Sequence, residues 1–442
     1  MVLNTPMLIA AAILLASYAL IFSERLHRTS AALLGAVVMV GVGEMVGFYT
    51  QEQAVASIDA NTMLLLLGMM LLVALLRPTG GFEYLAIRLA KLSAASPRRL
   101  FVYLSLAVSV LSMFLDNVTT VIIFAPLTVL ITRMLGLNPA PYLMAEAMLS
   151  NIGGVATLVG DPPNIMIGSA AGLDFNAFLI HMVPAVVPVW LGTVVILLVL
   201  FRRELHFSGD KHRVLDLDES KAITDPQVLR RVLWAMAVVL GLFFIHHHIG
   251  FYPAFAALIG LVIAVALVRP DPEDLLKQAE WPVLLFFASL FVLVGGVDAS
   301  GLLDLIGEQL VHLASDPSEL LLAALVLMWV AAILSAIIDN IPFTVTMIPI
   351  VAGLQSQGLA ADPLWWALAI GVGLGGNGTH IGATANIICV AEAERSGLPA
   401  ARIDPARWLR AGVPVMFASL VLASLVFAAL YETLYAARGA TP

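Results

Sequence analysis

Long apolar runs, each ended by a short polar or charged segment, recur along the whole chain. They lie near residues 7–22, 30–48, 61–76, 140–159, 178–201, 232–249, 252–268, 281–296, 363–380 and 411–435. A helix needs roughly 17 to 25 predominantly apolar residues to cross a bilayer, so the pattern predicts an all-α polytopic membrane protein with about ten spans. Two more stretches, 101–135 and 320–354, are apolar except around Asp116-Asn117 and Asp339-Asn340. Arg98, Arg99 and Arg133 flank both ends of the first, so the chain enters and returns on one side. Both read as re-entrant helical hairpins, whose non-helical tips are tolerated at membrane depth only against protein or a wet cavity.

The hairpins belong to a duplicated unit. Asp116-Asn117-Val118-Thr119-Thr120 runs on to Pro126 and is followed by Gly153-Gly154-Val155-Ala156-Thr157 and Gly160-Asp161-Pro162-Pro163-Asn164. Asp339-Asn340-Ile341-Pro342-Phe343-Thr344 runs on to Pro349 and is followed by Gly375-Gly376-Asn377-Gly378-Thr379 and Gly382-Ala383-Thr384-Ala385-Asn386. Polar, Gly- and Pro-interrupted segments at matching places in two halves of a hydrophobic chain point to a transporter's binding site. Each half holds five spans and one hairpin, and an odd number of spans inverts the second copy. The expected organisation is a first inverted repeat over 1–203 with a cytoplasmic-side hairpin at 100–136, a cytoplasmic linker at 204–226, and a second repeat over 227–442 with an outside hairpin at 318–355.

Charge orients this arrangement. With the N-terminus outside, Arg25, Arg28, Arg77 through Arg99, Arg133, Arg202 through Arg231, Arg269, Lys277 and Arg395 through Arg410 all fall on the cytoplasmic side, leaving Arg438 outside with the C-terminus. The outer loops carry Glu52, Asp59, Asp174, Asp298, Asp304, Glu308, Asp316, Glu319 and Asp362. The equal-length amphipathic stretches before the hairpins also reverse sign: Gly81 to Pro97 carries Arg88 and Lys91, whereas Gly301 to Pro317 carries Glu308. An uncharged start, Met1 through Pro6, gives the first run no basic flank, so it reads as a retained span rather than a signal peptide.

Composition narrows the function classes. At 61% hydrophobic and 12% charged residues, with mean hydropathy +0.98, the chain cannot form a soluble surface. A net charge of -8 without a positive stripe excludes nucleic acid as a partner. A single cysteine, Cys389, rules out an internal disulfide and a cysteine-based metal cage.

Within this frame the polar residues of the repeats are the candidates for ion and solute binding: Asp116, Asn117, Thr119, Thr120, Gly154, Thr157, Asn164, Asp339, Asn340, Thr344, Gly376, Thr379 and Asn386. A carboxylate at mid-bilayer costs at least ~2.5 kcal/mol, so Asp116 and Asp339 are functional candidates even though each can also cap the returning helix. Thr120 and Thr344 compete between ligation and bonding to their own backbone. Glu146, Asp161 and His380 are ionisable residues without a mate in the other half, and with the two aspartates they are the candidates for proton coupling. His380 stands out because imidazole titrates near neutrality.

Other signals are weaker. Gly371-Val372-Gly373-Leu374-Gly375-Gly376 has dinucleotide-loop spacing, but inside an apolar run with no strand before it. His246-His247-His248 lacks the helix-face spacing of a metal site, so no metal or other cofactor is expected. No Walker A, HExxH or nucleophile-elbow pattern occurs, so the chain itself is read as a transporter and not an enzyme. The different-class alternative, an intramembrane aspartyl hydrolase built on Asp116 and Asp339, leaves the duplication and the broken helices without a use.

At the two Asp-Asn hairpin phrases and Asn151-Ile152-Gly153-Gly154 through Asn164, the chain resembles the ArsB/NhaD ion-transporter family. The likeness is greatest to the branch of P protein-like permeases, silicic-acid effluxers and arsenite permeases within the wider ion-transporter superfamily. The resemblance implies two hairpins in a mobile transport domain, a dimerising scaffold and an elevator motion. The divalent anion/sodium symporters, a distant branch, carry Ser-Asn-Thr at the hairpin tip, where this chain has Asp116-Asn117-Val118 and Asp339-Asn340-Ile341. Two carboxylates would repel a dicarboxylate. The expected function is therefore proton-coupled efflux of arsenite or antimonite across the inner (plasma) membrane; sodium/proton antiport is the alternative, followed by silicic-acid or organic-anion transport. The partners are a small inorganic solute with protons or sodium, the lipid bilayer, and a second copy in a homodimer, with room left for a separate soluble ATPase.

Overall fold

A computed structural model describes residues 3–23, 25–94, 96–206, 218–305, 320–356 and 361–435, and every regular element among them is helical. The first half begins with α1 (Thr5–Phe22), α2 (Arg28–Val46), a short α3 (Gln51–Ala56), α4 (Ala60–Leu76) and α5 (Gly81–Leu92). The arms of the first hairpin are α6 (Pro97–Leu115) and α7 (Asn117–Met134); α8 (Ala140–Val155) and α9 (Pro162–Ala171) are the pieces of one broken span; α10 (Phe175–Leu200) closes the half. The second half repeats the order with α11 (Pro226–Ile245), α12 (Pro253–Val268), a short α13 (Pro272–Leu276) and α14 (Trp281–Ala299). Its hairpin is α15 (Leu320–Ile337) and α16 (Asn340–Ser356), its broken span α17 (Asp362–Gly375) and α18 (Thr384–Arg395), and its last helix α19 (Pro405–Ala429).

Nine helices among the described residues are long and apolar enough to cross a membrane. They do not map one to one onto the apolar runs. Three are hairpin arms, α6, α7 and α15, while the broken spans fail the length test because each is split. Proline opens many of the helices, including α6, α9, α11, α12 and α19, at a position where its missing N–H costs no hydrogen bond.

Packing repeats along with the order. Helix α2 lies on α14 as α12 lies on α4, and α1 pairs with α2 as α11 pairs with α12. In the other layer α6 packs on α8 as α15 packs on α17, α7 meets α18 as α16 meets α9, and α10 and α19 pair with each other. Close approach of the hairpin arms depends on glycine. A Cβ on Gly153 would lie 2.4 Å from the Ser109 carbonyl oxygen, and one on Gly375 would lie 2.3 Å from that of Ala332.

Part of the predicted linker docks on α5. Lys91 Nζ and Arg88 Nη1 bind the Glu219 carboxylate at 2.6 and 2.8 Å, and the Thr224 N–H donates to Thr79 O at 2.9 Å. The Lys91 ammonium, then the backbone N–H and the Arg88 guanidinium, hold the Glu219 carboxyl down at about 2. Residues 207–217 of the linker, 306–319 with Glu308, Asp316 and Glu319, and Arg438 lie outside the described residues.

Candidate functional site

Both hairpin tips converge on the loop that breaks the first split span. The Asn117 N–H donates to Gly160 O at 3.1 Å, and Asn340 Nδ2 donates to Asp161 Oδ2 at 3.4 Å. Asp161 precedes α9, where an aspartate would ordinarily cap the helix with its side chain. Here Pro162 and Pro163 remove the first two N–H groups, no side-chain cap bond forms, and the carboxylate turns to the second hairpin. Its counterpart Ala383 has nearly the same extended backbone, φ -148° against -146°, but no side chain to offer. Asp161 therefore lies between the two hairpin tips, bonded to Asn340 and adjacent to the Gly160 carbonyl that accepts the Asn117 N–H.

The two hairpin aspartates are held differently. Asp116 adopts φ +65°, a strained conformation for a residue with a Cβ, and serves as the cap of α7. One carboxylate oxygen accepts the Thr119 N–H at 2.8 Å and the other accepts the Thr119 hydroxyl at 2.7 Å. Asp339 has only a 3.3 Å bond from the Ile341 N–H within its own hairpin. Its other oxygen lies 3.5 Å from Nη1 of Arg28 and 3.5 Å from the Thr384 hydroxyl.

A chain of carboxamides joins the repeats behind these acids. Asn386 Nδ2 is anchored on Gly376 O and Thr379 O at 2.7 and 2.8 Å, which turns its Oδ1 toward Asn151. Asn151 Nδ2 then donates to Asn386 Oδ1 at 3.1 Å and to Asn377 Oδ1 at 2.9 Å, leaving its own Oδ1 to accept from Asn117 Nδ2 at 3.1 Å. This direction of bonding leaves Asn117 Oδ1 and Asn377 Nδ2 as buried groups with no partner among the described residues. An orphan acceptor and an orphan donor are expensive unless a solute or ion meets them.

Many of the predicted site residues brace this centre instead of facing it. Asn164 Nδ2 donates to the carbonyls of Gly154, Val155 and Thr157, at 2.8 Å for the last. The Thr157 hydroxyl donates to Met113 O and that of Thr379 to Ala336 O, tying each break to its hairpin. Thr120 and Thr344 give their hydroxyl protons to the carbonyls of Asp116 and Asn340, both at 2.7 Å. A Cβ on Gly154 would come within 2.6 Å of Gly160 O, so that glycine closes the break; Gly376 lies at the matching place, 3.2 Å from the Ala383 Cβ by the same construction.

Glu146 stands apart. It is fully buried on α8, its Oε1 accepts the Thr128 hydroxyl, and its Oε2 has no partner among the described residues. His380 is half-buried and makes no hydrogen bond to a described residue. The His246–His248 run does not converge: the ring of His246 bonds Phe251 O and the Phe175 N–H, whereas His247 lies 3.9 Å from Asp174. Gly371 and Gly375 of the dinucleotide-like spacing press on the Met328 and Ala332 carbonyls and serve helix packing.

Arg28, Asn151 and Asn377 were not among the sequence candidates. Arg28 looked like an ordinary cytoplasmic-side charge, and the two asparagines have no polar mate in the other repeat. The usable signal was Asn377 itself, a carboxamide where the first break carries Val155.

Comparison with known proteins agrees with this architecture. The CitMHS family, described as citrate transporters, matches residues 18–371. An uncharacterised transporter of Mycobacterium tuberculosis is 41% identical over 425 residues, 95% of this chain and 97% of that protein. Human P protein is 34% identical over 499 aligned positions, 94% of this chain but 59% of the longer relative. The crystal structure of the Alcanivorax borkumensis YdaH transporter, described as having an unusual topology, superposes with a TM-score of 0.57 at 14% identity, covering 98% of this chain and all of the other, a likeness of fold.

Proposed function

The chain belongs to the CitMHS citrate-transporter family, and on that premise we propose that it is a secondary active transporter coupled to protons or sodium. The observation that carries this reading is Asp161 lying between the two hairpin tips. The carboxyl groups of Asp116 and Asp339 stand at those tips and the Arg28 guanidinium lies at Asp339, so acids outnumber the cation there, a balance that favours cation or proton uptake.

The transported solute is read from the asparagine centre. An unpaired acceptor at Asn117 and an unpaired donor at Asn377 suit a small neutral hydroxylated species, such as arsenite or antimonite, which needs both. This agrees with the ArsB/NhaD-like motifs. Sodium/proton antiport is the second reading, favoured by the weakly bonded Asp339, where a sodium ion or a proton would exchange. Silicic acid is a further neutral hydroxylated candidate. Citrate, the solute in the family's name, or another organic anion would meet three carboxylates and needs accompanying cations to enter.

The exchange of helix pairs between halves supports a two-fold relation of the repeats. The odd number of spans in each would invert them and set the hairpins on opposite faces, and the lysine and arginine distribution favours both termini outside the plasma membrane. On this reading the layer of hairpins and broken helices moves as an elevator against α1, α2, α4, α11, α12 and α14, which would form the face of a homodimer. Flux measurements in proteoliposomes test the assignment: arsenite, sodium and citrate are offered separately under an imposed pH gradient. Arsenite-dependent proton movement supports the first reading and sodium-dependent movement the second; absence of proton or sodium coupling with every solute contradicts both.

A further inference from the structure

The corner between α1 and α2 grips the second hairpin at two places. Tyr18 Oη lies 2.9 Å from Pro342 O and 2.8 Å from Thr346 Oγ1, in the first and second turns of α16. Arg28 Nη1 donates to the Thr384 hydroxyl at the start of α18, at 2.8 Å, and lies 3.5 Å from Asp339 Oδ2 at the tip, with the guanidinium 5.5 Å above the Phe286 ring. The residues at the matching places offer the first hairpin no such grip. Along the register that relates Gly153 to Gly375, Tyr18 corresponds to Leu240 and Arg28 to Gly250, neither of which has a side chain that can hold a hairpin by a hydrogen bond or a charge.

The grip has the character of a releasable contact. A charge-assisted hydrogen bond from a guanidinium is usually about 2.7–2.9 Å, so the 3.5 Å separation of Arg28 from Asp339 is loose. Arg28 also stands at the N-terminus of α18, where the helix dipole disfavours a cation. Its closest bond there is to the Thr384 hydroxyl, and Asp339 supplies the opposite charge that offsets the dipole. The other charges nearby are Asp161, which the Asn340 side chain bonds next to Asp339, Asp116 beyond it, and Glu280, just before α14, which faces Asp116, Arg28 and Arg77. Arg28 thus has a second carboxylate to turn to.

We propose that Arg28 is the internal counter-ion of Asp339 and latches the second hairpin to the α1–α2 corner until a proton or another cation taken up at Asp339 displaces it. The inference rests on the transporter reading above and adds to it the residue that ties cation uptake to hairpin movement. Occupied by Arg28, Asp339 is unavailable to a cation and the hairpin is held; neutralised by a proton, it loses its attraction for Arg28, which turns to Glu280. Cation binding and attachment to the corner are then mutually exclusive.

The test follows the latch directly and uses protons as the only ligand. A cysteine is introduced as Thr346→Cys in a Cys389→Ala background, the full-length protein is placed in nanodiscs, and alkylation is followed between pH 6 and 8 with a reagent of known pH dependence. In the otherwise unaltered protein, labelling corrected for reagent chemistry is slow at pH 8 and accelerates as the pH falls. Arg28→Gln labels roughly tenfold faster at pH 8, since the opposite charge that holds Asp339 to the α1–α2 corner is gone. Arg28→Lys restores protection, and Asp339→Asn labels fast at every pH with Arg28 in place, a second route to the same outcome. Protection in Arg28→Gln or Asp339→Asn equal to that of the parent, or a parent unaffected by pH, overturns the latch. Because labelling does not depend on the carried solute, a failure to find a transported species leaves this result readable.

Discussion

Asn151 Nδ2 donates to Asn377 Oδ1 at 2.9 Å, and the same contact recurs with different residues when both positions are exchanged between the halves. Along the register that relates Gly153 to Gly375, Asn151 becomes Gly373 and Asn377 becomes Val155. These two also touch: a Cβ on Gly373 would lie 2.1 Å from Val155 Cγ2. One copy of the contact is polar and the other apolar, so the duplicated frame carries a single-sided polar centre.

Gly373→Ala should therefore destabilise the protein by about 1–3 kcal/mol through overpacking against Val155. Val155→Ala in the same chain should recover part of that loss. A thermal-unfolding double-mutant cycle in detergent reads the coupling, and strict additivity would show that the two sites do not meet.

Asn151→Leu removes the hub of the carboxamide chain and leaves Asn117 Nδ2 and the Asn386 and Asn377 oxygens unpaired. Each buried unsatisfied group costs about 1–3 kcal/mol, so a clear fall in melting temperature is expected, larger than for Asn377→Ala, which breaks one side-chain link of the chain. Equal melting temperatures for the two variants would contradict the central place given to Asn151.

His380→Gln separates chemistry from packing. The imidazole is half-buried and unbonded to described residues, so the substitution should change stability by no more than about 0.5 kcal/mol. A role in proton transfer then appears as a flattened pH profile of transport. An unaltered profile removes His380 from the coupling path.

The linker contact gives a pH window outside the membrane. Lys91, the Glu219 backbone N–H and Arg88 depress the Glu219 carboxyl to about 2, below its ordinary value of about 4.3. A depressed acid contributes stability that is fully present above its unfolded value and is lost as the pH falls through the folded one. Protease protection of the linker should thus hold from neutrality down to about 4 and weaken toward 2, while Glu219→Gln should expose the linker at neutral pH. Equal protection in the variant at pH 7 would show that Thr224 and its backbone bond alone dock the linker.

The spans, hairpins and broken helices were legible because each leaves a local mark: an apolar run, a polar interruption, or a glycine that a carbonyl presses against. Duplication made the marks readable twice. It also directed attention to matched residues, and several of these, among them Thr120, Thr344, Thr157 and Thr379, give their hydroxyl protons to backbone carbonyls. Unmatched residues at the centre carry no such mark. Asp161 was visible as an acid in an apolar segment, but Arg28 shares its sequence context with topological arginines and meets Asp339, 311 positions away in the chain, only once the chain is folded. Asn377 is opposite a valine and Asn151 opposite a glycine, so comparison of the halves hides both.

The central claim is that the carboxylates of Asp161, Asp339 and Asp116 carry the coupling cation. The most direct measurement is solute-dependent proton movement in proteoliposomes loaded with a pH-sensitive dye, compared among the wild type, Asp161→Asn, Asp339→Asn and Asp116→Asn, with folding checked by melting temperature. Wild type should move protons when the solute is added. Asp161→Asn and Asp339→Asn should lose at least about tenfold of that rate, a barrier change of about 1.4 kcal/mol, and Asp116→Asn, which keeps the cap of α7, should lose less. Wild-type proton coupling in all three carboxamide variants would contradict the account.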